Sequence, residues 1–387
     1  MRKAAVLMTV VAVLMGVLVS GCSPKSGEQK TEQTGNIVIA VVGPMTGDNA
    51  QYGKFMRNSV ELAADLINKE GGINKKTVKI KVEDDKMEPQ QASVVAQKLV
   101  LDKEVVAVVG HFSSTTTLAA VPVYTQGSLA VVSPSSTSPK LSGASPYFFR
   151  TCITDEPNGT AGAEYVVGKI GAKKIVIMHA LSDGPTAYTR SFQKKAEELG
   201  AQILAVLPHE ENAKDFTAEL TKIKELKPDI IVFPGWYTQA ALTGKQAAEM
   251  KLGIPVFGHD GVYADELMQI GGSAVEGFYA GAFFHPDLPN PAARKFVEAY
   301  KAKYNELPEA YGAMAYDALN VIAEAVAKVG TDRKAVRDYM EGIGSSNPAH
   351  NGVTGPVKFD SKHDVIKPVV FVQVKGGKWA LAPNQSF

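Results

Sequence analysis

Short runs of Val, Ile and Ala recur along this chain, and a stretch of helical periodicity lies between each run and the next. "NIVIAVVG" (36–43) is apolar without alternation, as a strand covered on both faces must be. "FMRNSVELAADLINKEGGI" then places Met56, Val60, Ala63, Ala64 and Ile67 on one helical stripe and ends at Gly71 and Gly72. "TVKIKVEDD" sets Val78, Ile80 and Val82 against Lys79, Lys81 and Glu83, the alternation of a strand nearer an edge. "PQQASVVAQKLVLD" reads as a helix, with "VVAVVG" and "LAVVSP" as further strands. The rhythm restarts at "KKIVIMHA", "AQILAVLP", "PDIIVFPG" and "IPVFGHD". Strands that alternate with helices of this length make parallel sheets with right-handed crossovers. Two such series predict an α/β chain of two doubly wound parallel-sheet lobes.

The length of 387 residues fits two domains, and 45% hydrophobic with 21% charged residues fits a large core. A formal net charge of +1 gives no global field that would draw nucleic acid or an anionic surface. The seven His residues have no metal-ligand spacing, so neither a metal nor another cofactor is expected. Residues 1–22 are a separate matter. "MRK" is basic, "AAVLMTVVAVLMGVLV" is an apolar stretch of signal-peptide length, and "SGC" closes it with small residues before Cys22. "VSGC" resembles a bacterial lipobox, in which the cysteine carries the lipid. The alternative is an ordinary signal peptide with an incidental cysteine. "SPKSGEQKTEQTG" (23–35) has nothing apolar to bury and reads as a tether. As a flexible coil it spans on the order of 20 Å. Cys152 then has no partner and is read as a small buried hydrophobe.

Ligands of open parallel sheets sit beyond the carboxyl ends of the strands. The loops rich in hydroxyls, acids and aromatics all fall there: "GPMTGDNAQYG", "GHFSSTTT", "SPSSTSP", "GWYTQ" and "GHDGVY". Two of them put clusters of Ser and Thr directly after a buried strand. Those hydroxyls cap the helix that follows, or the same atoms and the free helix amides hold an anion. The composition of the loops allows both.

The chemistry of turnover is missing. "GDNAQYGKF" has one residue too many between its glycines for a phosphate loop and has Phe55 where Ser or Thr must reach a metal. No G-x-S-x-G elbow presents a nucleophile. His111 follows the strand directly and is read as packing or capping, not as a base for Ser113 or Ser114. Asp84 and Asp85 are read as a solvated acidic loop. A cleft that binds without transforming is the reading these residues support, so no enzymatic activity is expected.

The segments "IVIAVVGPMTGDNAQYGKFMRNSVELAADLINKEGGI", "KVEDDKMEPQQASVVAQKLV", "VVGHFSSTTTLAAVPVY" and "VVSPSSTSPKL" resemble the type I periplasmic binding proteins. More narrowly, they resemble the leucine/isoleucine/valine-binding proteins of ABC importers. The likeness runs from about residue 36 almost to the C-terminus and rests on five separate loops. It implies a two-lobed receptor with a three-segment hinge: lobe one from 36–154 and 284–366, lobe two from 155–283 and 367–387. It also implies a monomer, anchored outside the cytoplasm through Cys22, that hands leucine, isoleucine, valine or a similar amino acid to a membrane permease.

A zwitterion needs donors at its carboxylate and an acceptor at its ammonium. The resemblance carries the carboxylate ligand to Ser114, with Thr137 beside it in the run Ser135, Ser136, Thr137, and the carbonyl of Ser135 also receives the ammonium. Asp260 stands where the family usually has Glu as ammonium acceptor. Tyr52, Trp236 and Tyr311 fall on the aromatic walls, as small-molecule sites commonly require. Two departures bear on specificity. Gly184 stands where an ungapped reading puts a family Tyr, with Tyr188 the candidate to compensate. Met87 and Ser113 stand where some relatives carry a disulfide. Other readings of the same scaffold are a site for an amide, urea or aromatic acid, or a sensor that reports ligand to a signalling partner.

Overall fold

The computed structural model describes residues 35–385. Cys22 and almost all of the tether lie outside them, and Gly35–Phe387 is one compact unit. The first sheet collects β1 (Asn36–Gly43), β2 (Thr77–Asp84), β3 (Val105–Val109), β4 (Ala130–Ser133) and β5 (Phe148–Arg150) in the order β2-β1-β3-β4-β5, all parallel. The crossovers are α1 (Ala50–Lys69), α2 (Pro89–Leu101) and α3 (Ser114–Gln126). The alternate residues of β1 explain why it had to be apolar throughout. Ala40 and Val42 pack with Ala92, Leu99 and Tyr124 of α2 and α3, while Ile37, Ile39 and Val41 join Val60 and Ala63 of α1. Each Val, Leu or Ile among them, fully buried, contributes about 1.5–3 kcal/mol. β2 takes the edge, where its lysines reach water.

After α4 (Asp155–Tyr165) the pattern repeats with β6 (Lys174–Ala180), α5 (Asp183–Glu198), β7 (Gln202–His209), α6 (Thr217–Leu226), β8 (Ile230–Phe233), α7 (Tyr237–Glu249), β9 (Val256–Gly258), α8 (Glu266–Gly271) and β10 (Tyr279–Ala282). The order β7-β6-β8-β9-β10 is the order of the first sheet again. The chain then returns to the first half. There α9 (Pro291–Tyr304), α10 (Ala310–Val329) and α11 (Arg333–Glu341) precede a small hairpin, β11 (His350–Gly352) and β12 (Gly355–Val357), and α10 packs against α1, β3 and β4. It ends on the second sheet as β13 (Val370–Lys375) and β14 (Lys378–Leu381). The last two strands add an antiparallel edge to the parallel second sheet. β13 pairs antiparallel with β10 and turns through Gly376 and Gly377, both at positive φ, into antiparallel β14. Glycine meets no steric penalty there, so "VKGGKW" is the turn of a hairpin. Among the described residues no helix is long and apolar enough to cross a membrane.

Repeated twice, this strand order puts a reversal of winding between β1 and β3 and another between β6 and β8. Loops diverge at such points and leave a crevice at the carboxyl ends of the strands.

Candidate functional site

The hydroxyl loops are organised first by each other. Ser113 is the N-cap of α3, its Oγ accepting from Thr116 N at 3.4 Å, so capping falls one residue before Ser114. Ser114 Oγ instead accepts from Ser138 N at 3.0 Å. The Ser135 hydroxyl donates to Phe112 O at 2.8 Å, and Ser136 Oγ meets Thr117 Oγ1 at 2.7 Å. Those two side chains stitch the loop after β3 to the loop after β4. Beneath them Arg150, fully buried, donates from Nη1 to both Ser136 O and Ser138 O at 2.9 Å and from Nε to Asp364 at 2.6 Å. The carbonyls on either side of Thr137 are thereby held by a guanidinium whose charge is itself paired.

Ser114, Thr137 and a residue the sequence reading passed over meet at Gly184. A Cβ on Gly184 would lie 3.1 Å from Thr137 Oγ1, 3.5 Å from Ser114 Oγ and 3.6 Å from Asp155 Oδ2. Glycine keeps the space above these three oxygens open. Asp155 begins α4 with its backbone N–H on Thr137 O at 2.9 Å, and it is fully buried with both carboxylate oxygens unpartnered among the described residues. Burial first, and then the charge of Asp260, raise its carboxyl well above the ordinary range. The signal available in sequence was an acid after the run "FFR", in the loop beyond a strand too short to recognise.

Asp260 is buried at the end of β9, where Oδ1 accepts from Asn158 Nδ2 at 2.7 Å and Oδ2 from Tyr311 Oη at 2.6 Å. Tyr52, Trp236 and Tyr311 come together as expected, joined by Phe112 and Tyr237. Tyr52 stacks on Phe112 at 4.1 Å and stands 6.0 Å from Trp236 and 5.6 Å edge-on from Tyr311. Its hydroxyl donates to Gly261 O across the cleft and accepts from Tyr237 N at 3.3 Å. Trp236 donates its indole N–H to Glu211 at 3.1 Å. Further bonds cross between the two halves: Tyr237 Oη to Asp48 O at 3.0 Å, Thr115 to Asp183 at 3.3 Å, and the Lys140–Asp183 ion pair. The two sheets therefore face each other in a closed arrangement.

Tyr188 is buried, its ring 5.4 Å from that of His259, and burial followed by the charges of Asp260 and Asp155 raises its hydroxyl well above the ordinary value. Cys152 is fully buried and free, as a small hydrophobe should be. Asp85 overturns the solvated reading: it is fully buried and bonds His111 Nδ1 at 2.7 Å, while His111 Nε2 meets Tyr124 Oη at 2.9 Å. This chain of three shapes the loop and offers no base to a serine. Among the described residues no group of His, Cys, Asp and Glu could hold a metal ion.

Comparison with known proteins identifies the fold. The family model described as "Periplasmic binding protein" matches residues 36–378. The leucine-, isoleucine-, valine-, threonine- and alanine-binding protein of Pseudomonas aeruginosa is 30% identical over 85% of this chain and 87% of its own. Among solved structures, the leucine-binding protein LivK of Thermotoga maritima superposes with a TM-score of 0.84 at 30% identity, covering 89% of this chain and 97% of its own. The branched-chain amino acid transporter substrate-binding protein LivJ of Streptococcus pneumoniae, in complex with isoleucine, does so with the same score and coverage at 31% identity.

Proposed function

We propose, from the fact that this chain belongs to the periplasmic binding protein family, that it captures an aliphatic α-amino acid between its two sheets and delivers it to an ABC permease. The family is one of extracytoplasmic solute-binding proteins, not of enzymes. The observation that carries the finer reading is the group at Gly184: two hydroxyls and a buried carboxylate around a point that no side chain fills. Ser114 and Thr137 give donors for a carboxylate at the start of α3, where helix amides also favour an anion. Asp155 and Asp260 are the acceptors for an ammonium. Asp155 is the less committed of the two, because both its oxygens lack donors while each oxygen of Asp260 already has one. Ser135 completes the ammonium end through its carbonyl. The apolar side chain packs on Tyr52, Phe112, Trp236 and Tyr311.

In this reading the lobes are 36–154 with 284–366 and 155–283 with 367–387. The closed form, stapled by Tyr52 and Tyr311, is what the permease recognises. Cys22 carries a lipid, residues 23–35 tether the body to the membrane, and the protein acts as a monomer. An affinity in the micromolar range corresponds to about 8 kcal/mol, within reach of paired charges and one buried apolar group.

Isothermal calorimetry with leucine, isoleucine and valine, beside acetamide and benzoate, tests the reading. The amino acids should bind, and Asp260→Ala should weaken them by about 2–5 kcal/mol by leaving the ammonium short of a partner. Binding of benzoate or acetamide with no heat from any of the three amino acids would end it.

A further inference from the structure

Trp236 enters the candidate site from the extended residue before α7 and is 5% exposed. Its indole stands 6.0 Å from Tyr52, 5.8 Å from Phe112 and 6.0 Å from His259, always tilted or edge-on. A Cβ on Gly261 would come within 2.9 Å of Trp236 Cε3, so the benzo edge lies tight against the loop after β9. Apolar contacts of this kind give no direction to the indole N–H, and the χ2 torsion of a tryptophan is broad and roughly two-fold.

The one polar atom of the ring supplies that direction. Nε1 donates to Glu211 Oε1 at 3.1 Å. A buried indole N–H usually has a partner, and a carboxylate is among the strong ones. Glu211 lies in the loop after β7, where burial raises its carboxyl above the ordinary value and hydrogen bonds from Ser182 and Trp236 oppose the rise. Ser182, just before α5, has its hydroxyl 3.3 Å from Thr115 Oγ1, next in sequence to Ser114 in the first half. A line of contacts thus runs from Thr115 through Ser182 and Glu211 to the aromatic wall.

We infer that Glu211 is a positioning residue for the side chain of the ligand. It acts through Trp236, whose indole it fixes as the wall against which a branched aliphatic group packs. Closure secures the far end of the line, because Thr115 belongs to one half and Ser182 to the other. The inference rests on the proposed function, since it takes an amino acid held at Ser114 as the ligand.

The chain has two tryptophans, Trp236 and Trp379, so Trp379→Phe leaves Trp236 as the one indole reporter and serves as the parent. Glu211→Gln then removes the charge and keeps an acceptor for the N–H, whereas Glu211→Ala removes both. Acrylamide should quench Trp236 more readily in Glu211→Ala than in the parent, and no more readily in Glu211→Gln. Trp236 and Glu211 lie in the same half, so the contrast is read with or without ligand. Calorimetry with L-leucine, L-isoleucine, L-valine and L-alanine gives the second readout. Glu211→Ala should weaken the three branched ligands about tenfold, as a misplaced pocket wall does, and L-alanine, whose methyl group stops short of the ring, by less than about twofold. Glu211→Gln should hold all four within about twofold of the parent. A merely structural role would instead weaken all four alike and lower the melting temperature. That uniform loss, or equal quenching in the parent and Glu211→Ala, overturns the inference. A parent that gives heat with none of the four amino acids removes the proposed function, and the quenching contrast still decides whether Glu211 holds Trp236.

Discussion

Tyr311, in the first turn of α10, donates its phenolic hydrogen to Asp260 Oδ2 at 2.6 Å, so a buried hydrogen bond joins the two halves at the site itself. The acceptor is a carboxylate in a desolvated setting, and such bonds contribute about 1.5–3 kcal/mol. Tyr311→Phe keeps the ring against Tyr52 and Phe112 and removes only this bond. It is expected to weaken leucine by roughly ten- to a hundredfold with little change in the melting temperature of the protein alone. Calorimetry on the variant checks it, and an unchanged affinity would show that the bond does not take part in closure.

Asp155 should make binding depend on pH. An ammonium needs the carboxylate, whereas burial and the neighbouring Asp260 favour the acid. Affinity for leucine is therefore expected to rise with pH as binding releases a proton, and Asp155→Asn should be weaker and flat. Titration in two buffers of different ionisation enthalpy measures the released proton directly. Stability runs the other way. A carboxyl raised above its ordinary value of 3.8 contributes fully below that value, and its contribution is lost as pH rises. The Asn variant should accordingly be more stable than the parent at pH 8, by about 1–3 kcal/mol, and melt higher there, and the gain should vanish near pH 4.

The contrast between Asp155 and Asp260 shows what a sequence of this kind discloses. Long apolar runs disclosed β1, β3, β6 and β8 because both faces of those strands are covered, and Asp260 was marked by the family resemblance of the loop "GHDGVY". β5 and β10 escaped: "FFR" and "YAGA" are too short for a period, and Arg150 within β5 is polar. With β5 unseen, nothing marked Asp155 as lying at the end of a strand. α1 begins at Ala50, earlier than its apolar stripe starts, because its first turn is held from the 47–49 loop and by Tyr52 packing on Phe112. Asp85 looked solvated because a partner 26 positions away, His111, leaves no trace in spacing. Phe112 and Tyr237 were similarly hidden, since their role comes from meeting Tyr52, Phe112 within the first half and Tyr237 across the cleft.

Gly184→Ala should separate stability from binding. Gly184 lies in the first turn of α5, and no positive φ marks it. Alanine there is at worst neutral for the helix and up to about 1 kcal/mol favourable. The added methyl would sit 3.1 Å from Thr137 Oγ1 and within 3.6 Å of Ser114 Oγ and Asp155 Oδ2, in the space assigned to the ligand head. The variant is expected to stay folded, the helix gain offsetting the tight contact with Thr137 Oγ1, and to bind leucine at least about tenfold more weakly, a cost of ~1.4 kcal/mol. Thermal melts and calorimetry on one preparation decide it, since equal affinity would place the ligand head elsewhere.

The approach of α8 to the start of α10 predicts a second pH effect, opposed to that of ligand affinity. Glu309, just before α10, accepts from Asp265 N at 3.0 Å, and Glu266 stands beside it. The Oε2 atoms of Glu266 and Glu309 are both buried without a partner among the described residues. Burial is the largest cause that pushes Glu266 up to about 7, with Asp265 and Glu306 adding to it and Lys54 opposing. Burial likewise raises Glu309 well above its ordinary value. The closed arrangement thus gains its full contribution from Glu266 below the ordinary value of 4.5 and loses it as pH rises through about 7. Melting temperature should decline between pH 5 and pH 8, and Glu266→Gln should make the decline shallower and raise the melting temperature at the alkaline end. Parallel curves for parent and variant over that interval would show that Glu266 is solvated when the halves meet.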